Sequence, residues 1–572
     1  MPRLDIAVIG SGPCALAFVS RLAAPPGAID FSADFLYGFD SETESLQTTI
    51  GRLNALKKSM STSSNDHPLQ GRVKVFEKSG AWLGKWDGLF DALGIQHLRS
   101  PHVAHPCPTH THAILALAEM TKTVPGSKCE REIFADFKHL RYSGCHRAPS
   151  VRLFRSLCSH LCKSLGLDSL LEEATVLAIE PVYKDEKTGQ AVSHFRVTLC
   201  RGREAQGLVE VIEATSVVVA TGSTSCPRLP EWWPSGPDAM DCPSDHSPHA
   251  LRHAWELPQD LCLSSPAPAP LQSHERILIV GGGLTAVQLA VLAVDQGQAH
   301  ATLASRRALV VKQFDFANAW MDRKHRPSLL RTFLQADNDT DRLALIQAAR
   351  GLSSIPPEAL DMLRAREGSI DLREATEITS FPPPRWDSHL KMWRVVLERH
   401  IGTPAVMKGR ITSREEHFFD RIWCATGSDV CLEKHPLLGG FVDQRPIDTC
   451  NGFPCLTPDL AWDQDCELYV LGAPAALRLG PDAFNLLGAR TGAARVAHVL
   501  HKRLQIGEET TIMKSIRQAK QEVAALGFKY DRKREAVRSA GLARQEETGV
   551  GMQKRSKRGV CARKGKPRRG CC

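Results

Sequence analysis

The chain has 572 residues, more than one hydrophobic core organises, and predicts about two to four domains. With 42 % hydrophobic and 24 % charged residues it has a globular composition, which excludes a fibrous or largely unfolded chain. The net charge of +9 is local: 15 Lys+Arg against 4 Asp+Glu lie between Lys529 and Cys572, so the remaining body is nearly neutral and makes no electrostatic case for nucleic acid.

The first element is a β-branched run, D-I-A-V-I-G-S-G-P-C-A at 5–15, which delivers G-x-G-x-x-A onto a helix start. In such a loop Gly10 makes the tight turn and Gly12 lets the backbone approach a pyrophosphate. Pro13 opens the helix and the small Ala15 lets helix and strand pack closely, with the helix N-terminus holding the anion. V-K-V-F-E-K (73–78) reads as the second strand, ending at Glu77 and Lys78. The ribose-binding acid of a compact dinucleotide fold follows the last glycine by about 20 residues, so 25–71 reads as an inserted loop.

Val151, Phe154, Leu157, Leu161 and Leu165 give 150–166 a helical apolar face, and strands follow at 174–181, 194–199 and 208–219. The last runs into Ala220, Thr221 and Gly222 of V-V-V-A-T-G-S. A Pro-rich connection, 226–274, leads to a second glycine loop, R-I-L-I-V-G-G-G-L-T-A at 276–286, with Gly281, Gly283, Leu284 and Thr285 at the turn. The next strand ends in Ser305, Arg306 and Arg307. An acid there would bind a free ribose 2′-hydroxyl, whereas arginines pair with a 2′-phosphate, so this loop selects NADPH over NADH. A second Ala-Thr-Gly strand follows in R-I-W-C-A-T-G-S (421–428). L-Y-V-L-G then ends at Gly472, and a Gly-rich segment places Asn485 and Leu486 at a helix start.

The expected fold is therefore α/β, with two Rossmann-like three-layer dinucleotide-binding domains, the second inserted in the first. The first domain occupies 1–225 and 421–510, the second 226–420, and 511–572 form a basic tail without apolar periodicity.

The 18 cysteines contain no C-x-x-C pair and read as reduced thiols, with Cys158 and Cys162 as core groups on one helix; no metal site is expected. The first strand starts by residue 5, which leaves no room for a signal peptide, and no apolar run reaches the ~20 residues of a membrane span. The expected location is cytoplasmic, or nuclear through K-R-S-K-R (554–558) and K-G-K-P-R-R (564–569) of the tail, whose partner is open.

This order of glycine loops and Ala-Thr-Gly strands over roughly 4–500 resembles the two-dinucleotide flavoprotein monooxygenases, in particular the lysine and ornithine N-hydroxylases. The resemblance implies FAD at the first loop, with Glu77 on its ribose, Lys78 beside it, and Val176 contacting the adenine through backbone. G-A-W-L-G-K-W-D (80–87) resembles the segment along the flavin, so Trp82 or Trp86 would wall the ring. I-Q-H-L-R-S-P (95–101) aligns Gln96 with a catalytic Gln and Arg99 with a substrate-binding Lys, although the surrounding pattern departs from the family. Asn485 and Leu486 would face the flavin pyrimidine, and D-H-S-P-H-A-L-R-H (245–253) resembles a His-Ser segment of the family.

A disulfide reductase would need a dithiol after the first strand–helix unit, and no C-x-x-x-x-C stands there. The implied activity is an FAD- and NADPH-dependent monooxygenation of a small nucleophile such as an amine by molecular oxygen, through a peroxyflavin shielded from water. Two alternatives stay open, a weakly catalytic regulatory flavoprotein like the oxidative-stress-induced growth inhibitors and an NADPH oxidase releasing peroxide.

Overall fold

Strand β1 (Leu4–Ile9) forms because its apolar, β-branched residues are buried on both faces, as a central parallel strand requires. The computed structural model describes residues 3–24, 67–110, 112–120, 130–132, 147–185, 190–202, 207–222, 227–234, 243, 251–257, 274–297, 299–321, 325–401 and 410–504. Helix α1 (Pro13–Ala23) follows β1, with Pro13 at its first turn, where a missing N–H costs nothing. Strand β2 (Val73–Glu77) and helix α2 (Gly84–Ala92) come next, and β2 pairs with β1 in parallel. Most of the loop expected at 25–71 lies outside the described residues, as do the tail and residues 245–250.

Helix α3 (Val151–Ser164) buries Val151, Phe154, Leu157 and Leu161, and Ser150 caps it by accepting from the Leu153 N–H at 3.1 Å. Cys158 and Cys162 are buried on this helix, in keeping with core thiols. The chain continues through β3 (Leu171–Glu173), β4 (Thr175–Tyr183), β5 (Val192–Arg201) and β6 (Leu208–Val219). β4, β5 and β6 form an antiparallel run, and the far half of β6 pairs in parallel with β1.

The second parallel sheet comprises β7 (Arg252–His253), β8 (Arg276–Val280), β9 (His300–Ser305), β10 (Ile370–Glu374) and a later strand, Arg421–Cys424, with helix α4 (Leu284–Gly297) after β8. Between β10 and that strand lies an antiparallel sheet of β11 (Thr376–Ile378), β12 (Arg385–Asp387), β13 (Met392–Ile401) and β14 (Arg410–Phe419), seated on the fully buried Trp393. The 421–424 strand, β15, pairs with β8 from Ile277↔Arg421 to Val280↔Cys424. The second sheet thus runs past the expected boundary at 420. Arg-Ile-Trp-Cys is buried at every position, so it needs a sheet covered on both faces, and β8 offers that edge.

β16 (Ala461–Asp463) and β17 (Cys466–Val470) then return to the first sheet, whose order is β16-β17-β6-β1-β2-β3; helix α5 (Leu486–Leu504) closes the described chain. The second sheet runs β10-β9-β8-β15-β7. In each, the strand feeding a glycine loop has neighbours on both sides reached by opposite-going connections, which opens a crevice at its carboxyl end.

Candidate functional site

The two glycine turns are built alike. Gly10 has φ +99°, and a Cβ there would stand 2.7 Å from the Ala220 carbonyl oxygen. Ala220 N–H in turn donates to Ile9 O at 2.9 Å. Gly281 has φ +148°, and a Cβ would overlap the Ala425 carbonyl, while Ala425 N–H donates to Val280 O at 2.8 Å. The Ala of each Ala-Thr-Gly strand therefore closes one turn, and only glycine fits opposite it. A Cβ at Gly12 would meet nothing within 4 Å, and no side chain caps α1. The start of α1 thus presents backbone N–H groups beside open space, the cradle a pyrophosphate needs.

Residues 79–83 fold over this loop. Leu83 N–H donates to Ser11 O at 3.0 Å, and Ser11 Oγ donates to Ala81 O at 2.8 Å. That fold carries Trp86 to the wall of a cavity of about 350 Å³. The same cavity is lined by Pro13, Gly222, Gly472, Asn485 and Leu486. Of the two tryptophans, Trp86 is the one that lines it, stacked on Phe90 with ring centroids 3.7 Å apart; Trp82 packs against the core. Asn485 is extended ahead of α5, and its Oδ1 accepts from the Leu487 N–H at 2.8 Å, so the side chain is fixed as a cap with its amide in the cavity wall.

Other expected residues stand apart from the cavity. Gln96 is exposed and donates to Gly94 O at 3.3 Å. Glu77 ends β2 beside the first glycine turn, its Oε2 accepting from the Ser79 N–H at 2.7 Å, and Lys78 follows it there. Val176 lies on β4 opposite Leu199. Thr221 Oγ1 stands 2.9 Å from His435 Nε2. His435 Nδ1 accepts from the Leu437 and Leu438 N–H groups, and burial pushes its pKa down to about 4, so the neutral ring donates from Nε2 to Thr221.

At the second loop, Gly283 faces open space except for Ser353 at 3.8 Å, and Leu284 and Thr285 begin α4. Ser305 is buried at the end of β9 and donates to Arg307 O at 2.7 Å, fixing the turn on which Arg306 is exposed and Arg307 half-buried.

Sequence motifs missed the far wall. Phe314, Asp315, Phe316 and Met321 line the cavity although they follow β9 of the second sheet, because the loop carrying them packs into the core of the first. No periodicity marks K-Q-F-D-F, so only packing discloses it. Arg99, placed by resemblance on substrate, instead clasps that loop: its guanidinium donates to the carbonyls of Gln313, Lys312 and Ser354 at 2.8–3.0 Å and to Ser354 Oγ at 2.7 Å. Cys450 and Cys455 do form a C-x-x-x-x-C pair, but on a late hairpin, both free, and neither lines the cavity. Among the described residues no group of His, Cys, Asp and Glu is placed to hold a metal, and no helix is long and apolar enough to cross a membrane.

No family model and no curated protein matches the chain. Its fold matches solved flavin-dependent N-hydroxylases. The ornithine N-hydroxylase of Kutzneria sp. 744, in complex with reduced FAD, NADP+ and L-ornithine, superposes with TM-score 0.56 at 15 % identity, over 88 % of this chain and 100 % of that one. The ornithine hydroxylase of Pseudomonas aeruginosa gives 0.55 at 15 % identity and the L-lysine 6-monooxygenase of Pseudomonas syringae 0.52 at 17 %, each over 88 % of this chain and 100 % of its own. The chain thus has a mixed α/β fold with parallel sheets that matches the fold of these solved enzymes.

Proposed function

We propose that the protein is an FAD- and NADPH-dependent monooxygenase that oxygenates a small nucleophile. The observation that carries this reading is the shared cavity, where the first glycine loop, Gly222, Gly472 and Asn485 meet an aromatic wall. In this reading the first sheet and its glycine loop form one Rossmann-like domain for FAD. The second sheet, whose strands lie in sequence between β6 and β16, forms the inserted domain for NADPH. The matching fold of enzymes solved with FAD and NADP+ supports the cofactor pair.

When bound, FAD with NADPH would supply hydride transfer and the activation of molecular oxygen, one oxygen atom going to the substrate and the other to water. The chain's own residues do the holding. The Gly10–Gly12 turn and the α1 N-terminus bind the pyrophosphate, and Glu77 accepts from the ribose. Ser305, Arg306 and Arg307 hold the 2′-phosphate. Asn485 and the backbone of Leu486 donate toward the pyrimidine carbonyl, and Trp86 with the phenylalanines excludes water from the reacting face.

The test is direct. Purified protein reconstituted with FAD should show a bound-flavin spectrum and oxidise NADPH faster than NADH, with an oxygenated product when the right nucleophile is present. No bound flavin defeats the proposal, and NADPH consumption matched one-for-one by peroxide with every nucleophile assigns the protein as an oxidase instead.

A further inference from the structure

The side of the cavity away from the glycine loop has an unusual charge balance for an enzyme acting on amino acids. Trp86, Phe90 and Phe484 are the half-buried aromatic groups of its surface, and Phe314, Phe316 and Met321, at 1–2 % exposure, complete its lining. Among the described lining residues only Arg99 and Asp315 carry charge. An α-amino acid substrate needs both a cation for its carboxylate and an acceptor for its ammonium, since a buried ion without a partner is strongly disfavoured.

Neither residue meets that need. Four of the five Arg99 donors are spent on three backbone carbonyls and Ser354 Oγ, so it has no fork to offer a carboxylate. Asp315 is paired with Arg350, whose Nη1 lies 3.1 Å from its Oδ2, and Arg99 lies close enough to interact with it as well. An ammonium approaching Asp315 would meet a carboxylate already paired with Arg350, in a group of charges that also holds Arg99 and Glu358. The Arg350 guanidinium also lies over the Phe484 ring, 4.1 Å from its centre, which holds it at the wall.

We propose that the substrate is an apolar monoamine, aromatic or long-chain, bound as the neutral free base and without an α-amino-acid group. This rests on the monooxygenase reading above. One oxygen atom of O₂ enters an N–H bond to give a hydroxylamine and the other leaves as water. NADPH supplies the hydride and the medium one proton. The neutral amine is also the form with a lone pair to attack, so an apolar wall that favours the uncharged amine favours the reactive form. The aromatic wall stacks on the substrate and shields the reacting face from water.

The experiment uses the full chain reconstituted with FAD and compares 2-phenylethylamine and octylamine with L-ornithine, L-lysine and cadaverine. Perturbation of the flavin spectrum reports binding, and hydroxylamine against peroxide reports coupling. The expected result is kcat/KM for the monoamines higher by on the order of 100-fold. Phe90→Ala should raise KM for phenylethylamine about tenfold and Phe90→Leu much less, because apolar surface is partly kept. A flavin-loaded, NADPH-oxidising protein that prefers ornithine, lysine or cadaverine overturns this inference alone. One in which Phe90→Ala leaves KM unmoved does the same. One that hydroxylates none of the five overturns this inference, and where peroxide matches NADPH one-for-one it overturns the monooxygenase reading as well. A protein that binds no flavin overturns the monooxygenase reading, and this inference with it.

Discussion

Arg326 Nη2 donates to Asp482 Oδ2 at 2.5 Å with both side chains buried, and Arg326 Nη1 also donates to Trp320 O at 2.9 Å. The pair joins a helix that follows the aromatic wall to the turn that sets Asn485. Removing one partner strands the other charge in the interior, which costs about 3–5 kcal/mol. Arg326→Met should therefore lower the melting temperature markedly and weaken flavin retention, read by thermal unfolding and by flavin released on gel filtration. Unchanged flavin occupancy would show that this turn does not depend on the pair.

The two glycine turns should fail separately. Gly10→Ala places a Cβ against the Ala220 carbonyl at positive φ, a strain of about 1–3 kcal/mol concentrated in the first loop. The expected outcome is loss of bound flavin. Gly281→Ala does the same at Ala425 and should leave flavin bound while NADPH oxidation falls. Loss of flavin in both variants, measured by absorbance after purification, would contradict the separate assignment.

Arg306→Ala combined with Arg307→Ala should reduce the preference for NADPH over NADH about tenfold or more, since each arginine–phosphate contact is charge-assisted. Steady-state kcat/KM for the two nicotinamides checks this. A preference that does not move removes the turn after β9 from the cofactor site.

Asp339 gives a pH test of the fold. Burial favours its neutral form, but hydrogen bonds from Arg478 and Arg342 outweigh this and hold its pKa down to about 2. A depressed carboxylate stabilises the folded state above the ordinary carboxylate range, and that contribution is lost as pH falls from about 4 toward 2. Asp339→Asn should thus be less stable than the parent at pH 7, and the gap should shrink toward pH 2. A gap in melting temperature that is constant across this range would disprove the pairing as its source.

The glycine loops, the Ala-Thr-Gly strands, the helix from Val151 and the strands at 174–219 were legible in the sequence. Each is a local requirement of backbone geometry: a turn at positive φ, a helix start without a cap, an apolar period of two or of 3.6. The pairing of β15 with β8 was not, because four buried residues fit either sheet until their neighbours are known. Nor was Trp86 separable from Trp82, since both fit the same short phrase and the cavity admits one. The wall of Phe314, Asp315 and Phe316, and the use of Arg99 as a clasp, depend on contacts across more than 200 residues. Local residue chemistry therefore determined the two glycine turns and the helix starts that follow them. Long-range packing alone decided what else faces the cavity beside the first of them.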